Sequence, residues 1–400
     1  MLALLVLVLV ADPKPTESAA AVESLRTALA SDADFSGKDF VKVPLTKADA
    51  ATARELLWKA HAARMAKDRT AEIEALKLTD GDKAMPIFLK TFGDEPKAGR
   101  SLWISMHGGG NGPARMNDSQ WENQKRLYTL DEGVYAVPRA PTNTWNLWHE
   151  PHIDRLFTRL IEDLIVLKNV NPDRVYILGY SAGGDGVYAL APRMADSLAA
   201  AAMMAGHPNG VSVLSLRNLP FALQVGGKDA AYNRNKVTAE YGEKLDQLRK
   251  ADPAGYEHFL KVHEDKPHWM GGQDKVALPW MAKFTRNPIP DRVVWKQTGT
   301  PHDRFYWLAV PDGMAKLNTL VDAKRSEQTI EITAAEDVAK LLVRLDDRMV
   351  DLDKPVTVKS QGKTLFEGTA PRTIATLAKT LAGRGDPKMI FDAEVAVELK

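Results

Sequence analysis

Residues 175–190 read VYILGYSAGGDGVYAL. The run Arg174–Leu178 is rich in β-branched and aromatic side chains, as a buried strand is. It passes through Gly179-Tyr180-Ser181-Ala182-Gly183 into small residues that suit a helix. A serine in the pattern G-x-S-x-G, between a strand and a helix, sits on a tight and strained turn. Side chains two places either side would collide with neighbouring backbone, which accounts for the glycines. Ser181 is therefore expected to project its hydroxyl above the sheet edge as a nucleophile. The amide of Ala182, at the helix start, is expected to help hold a developing oxyanion. Phosphate cradling by GYSAGG is a weaker rival, because no lysine follows where a P-loop needs one.

Outward from this stretch, strands and helices alternate. Met85–Thr91, Ser101–Met106, Val134–Pro138, Ala199–Ala205, Pro220–Val225 and Tyr256–Val262 read as strands. His152–Leu167 has helical apolar spacing through Ile153, Leu156, Phe157, Leu160, Ile161 and Leu164, and Tyr232–Lys250 reads as a helical crossover. Short apolar strands separated by helices predict an α/β fold, with a mostly parallel sheet covered on both faces. Upstream, Leu56, Leu57, Ala60 and Ala63 recur at helical spacing, so Asp49–Leu78 is one long amphipathic helix or two short ones, with Trp58 as a packing anchor. Near residue 285 the pattern changes to short β-branched or alternating runs, with Pro371–Leu381 alone helical. These predict a small β-rich, sandwich-like domain, or else strands that extend the main sheet. The expected organisation is a signal-like segment and flexible lead-in over 1–48, a catalytic domain with a helical extension over 49–285, and a β-rich accessory domain over 286–400.

A reactive serine needs oxyanion donors, a base and a carboxylate that orients the base. His107-Gly108-Gly109-Gly110-Asn111-Gly112 follows the strand SLWISM. Three successive glycines can turn free amides into a cleft, so Gly109 and Gly110 are candidates for the second oxyanion donor beside Ala182. His107 would brace this loop. Downstream histidines are His207, His258, His263, His268 and His302. His268, in the loop EDKPHWMGG, fits the base best, with His263 as runner-up; His258 reads as a core or edge residue. Asp229 follows a convincing strand and a glycine turn and fits the acid, with Asp265 as the alternative; Asp185 is too close to the elbow. Trp145, Trp148, His149 and His152 form an aromatic patch that either lines a substrate pocket or seals the core. His207, in AGHPNG, could line the pocket, and His107 borders it. HEPH is not the H-E-x-x-H pattern of a zinc helix, so no metal is expected.

Bulk properties exclude several classes. The 400 residues carry 53 Lys and Arg against 52 Asp and Glu, and a net charge of +1 gives no general attraction to nucleic acid. With no cysteine there is no disulfide, thiolate metal site or cysteine nucleophile. MLALLVLVLV at 1–10 resembles the apolar core of an export signal, although no Lys or Arg precedes Leu2; it is too short to span a bilayer, and no later segment does so. The alternative is a buried strand or helix end in a cytoplasmic protein.

HGGGN, GYSAGG, VGGKD and KPHW, in this order, resemble the polyhydroxybutyrate-depolymerase-like and carboxylesterase branches of the α/β-hydrolase superfamily, over roughly residues 80–285. The resemblance implies hydrolysis of small-molecule or polymeric carboxylic esters through an acyl-enzyme, without a cofactor. It implies Ser181 as nucleophile, Asp229 as acid and His268 as base, with the HGGG loop as oxyanion segment. Related serine peptidases of the prolyl-oligopeptidase type leave peptide hydrolysis open, and a hydrolase fold kept only for binding is the third reading. The terminal β-rich domain falls outside the resemblance and could contact glycan, polymer or protein.

Overall fold

The computed structural model describes residues 13–399. The apolar stretch 1–10, and with it the export expectation, lies outside the described residues. The chain divides into two units: one holds Asp68–Pro288 and Gln297–Thr300, the other the residues up to Lys67, Ile289–Lys296 and those from Pro301 on.

Two helices open the described chain, α1 (Pro15–Ala30) and α2 (Lys47–Glu74). The lead-in expected as a tether is thus largely helical. Its apolar stripe is only Ala21, Val22 and Leu25, too thin to stand out among Ala, Ser and Glu. Ser18 ties the two helices: its hydroxyl accepts from the Thr46 amide at 2.9 Å and donates to Asp49 at 2.5 Å. Thr46 in turn accepts from the Asp49 amide at 3.2 Å, which caps the start of α2. Ala50, Ala53 and Leu57 recur every three or four residues on the buried side of α2.

The larger unit holds β1 (Lys77–Asp80), β2 (Lys83–Phe92), β3 (Arg100–Met106), α3 (Ala114–Leu127), β4 (Gly133–Pro138), α4 (Pro151–Lys168), β5 (Val170–Tyr180), α5 (Ala182–Arg193), β6 (Ala200–Met204), β7 (Phe221–Gly226), α6 (Arg234–Ala251), β8 (His258–His263) and α7 (Ala277–Met281). Its strands form one sheet in the order β1-β2-β4-β3-β5-β6-β7-β8. The pairs β1/β2 and β2/β4 are antiparallel, and every later pair is parallel. Helices cover the sheet, so β4, β6 and β7 are buried at every position. This is the α/β-hydrolase fold. In such a sheet ligands gather at the carboxyl ends of the strands.

The rest of the chain is β-rich: β9 (Arg292–Lys296), β10 (Arg304–Phe305), β11 (Leu308–Ala309), β12 (Leu320–Ser326), β13 (Thr329–Glu336), β14 (Lys340–Leu345), β15 (Val356–Ser360), β16 (Lys363–Gly368), α8 (Ile374–Arg384) and β17 (Ala393–Glu398). The strands make two sheets of their own, β16-β15-β13-β12-β9 and β10-β11-β14-β17, and do not extend the eight-stranded one. Only β13/β15 is parallel. Ile374, Leu377 and Leu381 of α8 share a core with Leu25 of α1 and Leu57 of α2. α1 and α2 up to Lys67 therefore belong with the β-rich part, whereas the last residues of α2, from Asp68, belong to the hydrolase unit, where Glu72 pairs with Arg159 of α4 at 2.6 Å. Among the described residues no helix is long and apolar enough to cross a membrane.

Candidate active site

β5 delivers Ser181 to the carboxyl edge of the sheet. The residue adopts φ 57° and ψ −120°, a strained backbone for a residue with a side chain. The turn closes only because its flanks are bare. A Cβ on Gly183 would stand 2.7 Å from the Met106 carbonyl carbon and 3.0 Å from the His107 oxygen. A Cβ on Gly179 would meet Gly183 itself, its Cα at 3.0 Å. The Ser181 amide donates to Met204 O at 2.9 Å, which fastens the bend to β6.

Two later loops converge on this serine. Asp229 follows β7 and His268 follows β8. The Lys228 amide donates to Lys266 O at 2.9 Å, lacing the two loops together. His268 Nδ1 lies 2.7 Å from Asp229 Oδ2, and Nε2 lies 3.0 Å from Ser181 Oγ. A carboxylate can only accept, so Nδ1 carries the hydrogen and the lone pair on Nε2 faces the serine hydroxyl. The Asp229 side chain is 1% exposed, and among the described residues its Oδ1 has no hydrogen-bond partner and the imidazole is the only side chain bonded to this carboxylate. Tyr180 holds the histidine loop: its hydroxyl donates to His268 O at 2.7 Å and accepts from the Met270 amide at 2.9 Å.

The alternatives face elsewhere. Asp265 is exposed and stands 3.9 Å from Lys228. Asp185 accepts from the His207 amide at 2.6 Å, and burial pushes its carboxyl above the usual range. His263 Nε2 pairs with Gln224 at 2.9 Å, and His258 Nε2 with Asp246 at 3.1 Å.

The glycine loop after β3 needs one correction. The Gly110 amide donates to Asn117 Oδ1 at 2.7 Å, so it is not free to hold an oxyanion. The amides of Gly109 and Ala182 donate to no protein acceptor among the described residues. His107 is interior: Nε2 accepts from the Ala140 amide at 3.2 Å, so Nδ1 donates to Gly108 O at 2.6 Å. Burial lowers its pKa to about 4, so the ring is a neutral brace. Trp148 is buried beside it and donates to His107 O at 2.9 Å.

A cavity of about 710 Å³ opens at Ser181. Gly108, Gly109, Tyr180, His268 and Trp269 border it, with Met116, Gln120, Asn123, Gln124 and Leu127 of α3. None of His107, Trp145, Trp148 and His207, the expected pocket residues, lines it. The first and third are sealed in the interior. Trp145 is 59% exposed and packs edge-on against His149, whose pKa burial lowers to about 4. His207 bonds within its own loop, to Asn209 at 2.9 Å. The sequence alone does not mark the pocket wall α3 or the clamp Asn117. The available signal was Pro113 followed by fourteen residues free of glycine and proline. Among the described residues no group of three or more His, Asp or Glu could hold a metal ion.

No protein-family model matches the chain, and no curated protein matches it. Among solved structures it is similar to a thermostable esterase at 19% identity, over 52% of this chain and 62% of that one, with a TM-score of 0.40. A ferulic acid esterase aligns at 16% identity over 50% of this chain and 98% of its own, with a TM-score of 0.34. A fluorophosphonate-binding serine hydrolase of Staphylococcus aureus aligns at 12% identity over 52% and 96%, also at 0.34. The chain thus spans less than two thirds of the thermostable esterase. Likenesses this low carry no weight for reaction or substrate, which rest on the site itself.

Proposed function

We propose that the protein is a serine hydrolase that cleaves carboxylic esters through an acyl-enzyme. The observation that carries this reading is the continuous hydrogen-bonded chain from Ser181 Oγ through the His268 ring to buried Asp229, at 3.0 and 2.7 Å. His268 Nε2 takes the hydroxyl proton as Ser181 attacks the ester carbonyl. The carbonyl oxygen, now negative, is held by the Gly109 and Ala182 amides. Collapse of the tetrahedral intermediate expels the alcohol, which leaves with the proton from His268. The same nitrogen then takes a proton from water as the water attacks the acyl-serine, and returns it to Ser181 Oγ as the acid departs. Asp229 keeps the ring in the working tautomer and offsets its positive charge.

A panel of short-chain 4-nitrophenyl esters and peptide anilides tests the reading. Ester turnover that vanishes in Ser181→Ala and falls by about 10³–10⁴ in Asp229→Asn supports it. Turnover of the anilides alone would favour the peptidase. Ester hydrolysis undiminished in Ser181→Ala would refute the reading.

A further inference from the structure

The wall of the cavity beside Ser181 is one face of α3. Met116, Gln120, Asn123, Gln124 and Leu127 fall at i, i+4, i+7, i+8 and i+11, which is a single helical stripe. Gln120 brings the stripe beside the nucleophile: a Cβ placed on Gly108 would lie 3.2 Å from Ser181 Cβ and 3.6 Å from Gln120 Oε1. Arg126 borders the same cavity, six residues further along, or about 9 Å at the 1.5 Å rise of a helix.

The charge balance of this wall is one-sided. No aspartate or glutamate borders the cavity. Arg126 makes no ion pair or hydrogen bond among the described residues, whereas Arg139, Arg193 and Arg286 of the same unit each pair with a carboxylate at 2.6–2.8 Å. The neighbouring Lys125 is already engaged, with Glu122 at 2.6 Å and over the Trp121 ring at 3.4 Å. Gln124 is also engaged, with Ser105 at 2.8 Å, while Gln120 and Asn123 keep free carboxamides. The cavity is therefore bordered by a serine at one end, by the uncommitted amides of Gln120 and Asn123 along its side, and further along by Arg126, whose guanidinium has no carboxylate partner among the described residues. A guanidinium recognises a carboxylate through paired, charge-assisted hydrogen bonds.

We propose that the cavity selects esters whose acyl chain ends in a carboxylate, with Arg126 as counter-ion. The proposal rests on the serine-hydrolase reading above and names the substrate class of that site. Its occupants are hemi-esters of medium-length dicarboxylic acids, the ester carbonyl at Ser181 and the free acid at Arg126. Because Arg126 is exposed, the attraction is screened by salt.

The test compares 4-nitrophenyl hemi-glutarate and hemi-adipate with neutral 4-nitrophenyl esters of matched chain length. In the parent protein kcat/KM is expected to favour the hemi-ester by about two- to fivefold, and the preference to shrink as sodium chloride is raised. R126Q should abolish the preference, chiefly through KM, and R126K should retain part of it. Equal or better hydrolysis of the neutral ester by the parent protein would overturn the proposal and leave the hydrolase reading standing. So would a preference that R126Q does not move. Turnover of neither ester would overturn both.

Discussion

Asn117→Ala should cripple the oxyanion loop without touching the nucleophile, base or acid. Asn117 is fully buried in α3 and joins two loops. Its Oδ1 accepts from the Gly110 amide at 2.7 Å, and its Nδ2 donates to Asn143 Oδ1 at 2.9 Å. Asn143 also receives Arg139 Nη2 at 2.6 Å, so the clamp continues into the segment after β4. Gly109 is held against it, since any side chain there would collide with Asn117 Oδ1. Alanine loses two hydrogen bonds at about 1 kcal/mol each and strands a part-buried Gly110 N–H, so the variant is less stable by about 2–4 kcal/mol. The kinetic effect is larger. A loosened loop lets the Gly109 amide drift from the oxyanion position, and loss of one such donor lowers kcat by ~10²–10³. Asn117→Asp keeps an acceptor for Gly110 but turns a second carboxylate oxygen toward Asn143 Oδ1 and buries a negative charge beside the oxyanion position, so it should also lose both stability and kcat. The assay is kcat and KM on a chromogenic ester, paired with urea unfolding. A destabilised Asn117→Ala enzyme with unchanged kcat would show that the loop does not depend on this clamp.

Other substitutions probe the rest of the frame. Gly183→Ala sets a methyl group 2.7 Å from the Met106 carbonyl carbon, where only backbone could give way, so activity should disappear; near-parental turnover would refute the packing of the elbow. Leu25→Ala should lower stability by about 2–5 kcal/mol in urea titration, because Leu25 is fully buried against α2 and α8; an unmoved midpoint would mean that α1 is not part of that core. His107 and His149 are both held near 4, below the ordinary 6.5, by burial. Between those values the unfolded chain binds more protons, so stability is full above about 6.5 and falls as pH drops toward 4, by about 3 kcal/mol for His107 alone. His107→Gln should flatten that slope, and an unfolding midpoint that ignores pH over this window would contradict it.

What the sequence disclosed followed from steric necessity. The glycines around Ser181 and the apolar strands of a sheet covered on both faces admit few other readings, and the order of the loops bearing Asp229 and His268 follows from the strands before them. What it concealed was held by polar contacts. α3 buries Asn117 and Gln124, whose partners are a loop amide and Ser105, so no continuous apolar stripe marked it as a packed helix. The lack of an apolar stripe leaves the pocket wall unmarked in the sequence, whereas Trp145 and Trp148 stand out in it. Aromatic density after β4 says that something large is packed there, not on which side of the loop it lies; Trp148 turned inward and Trp145 outward. Gly110 looked equivalent to Gly109 because glycine count carries no information on which amide a neighbouring side chain will claim.

The most direct measurement is covalent labelling with a fluorophosphonate, followed by digestion and mass spectrometry. One adduct per chain is expected, on the hydroxyl of Ser181, forming far more slowly in His268→Ala. An intact, folded protein that takes up no label, or takes it up on a residue other than Ser181, would contradict the account.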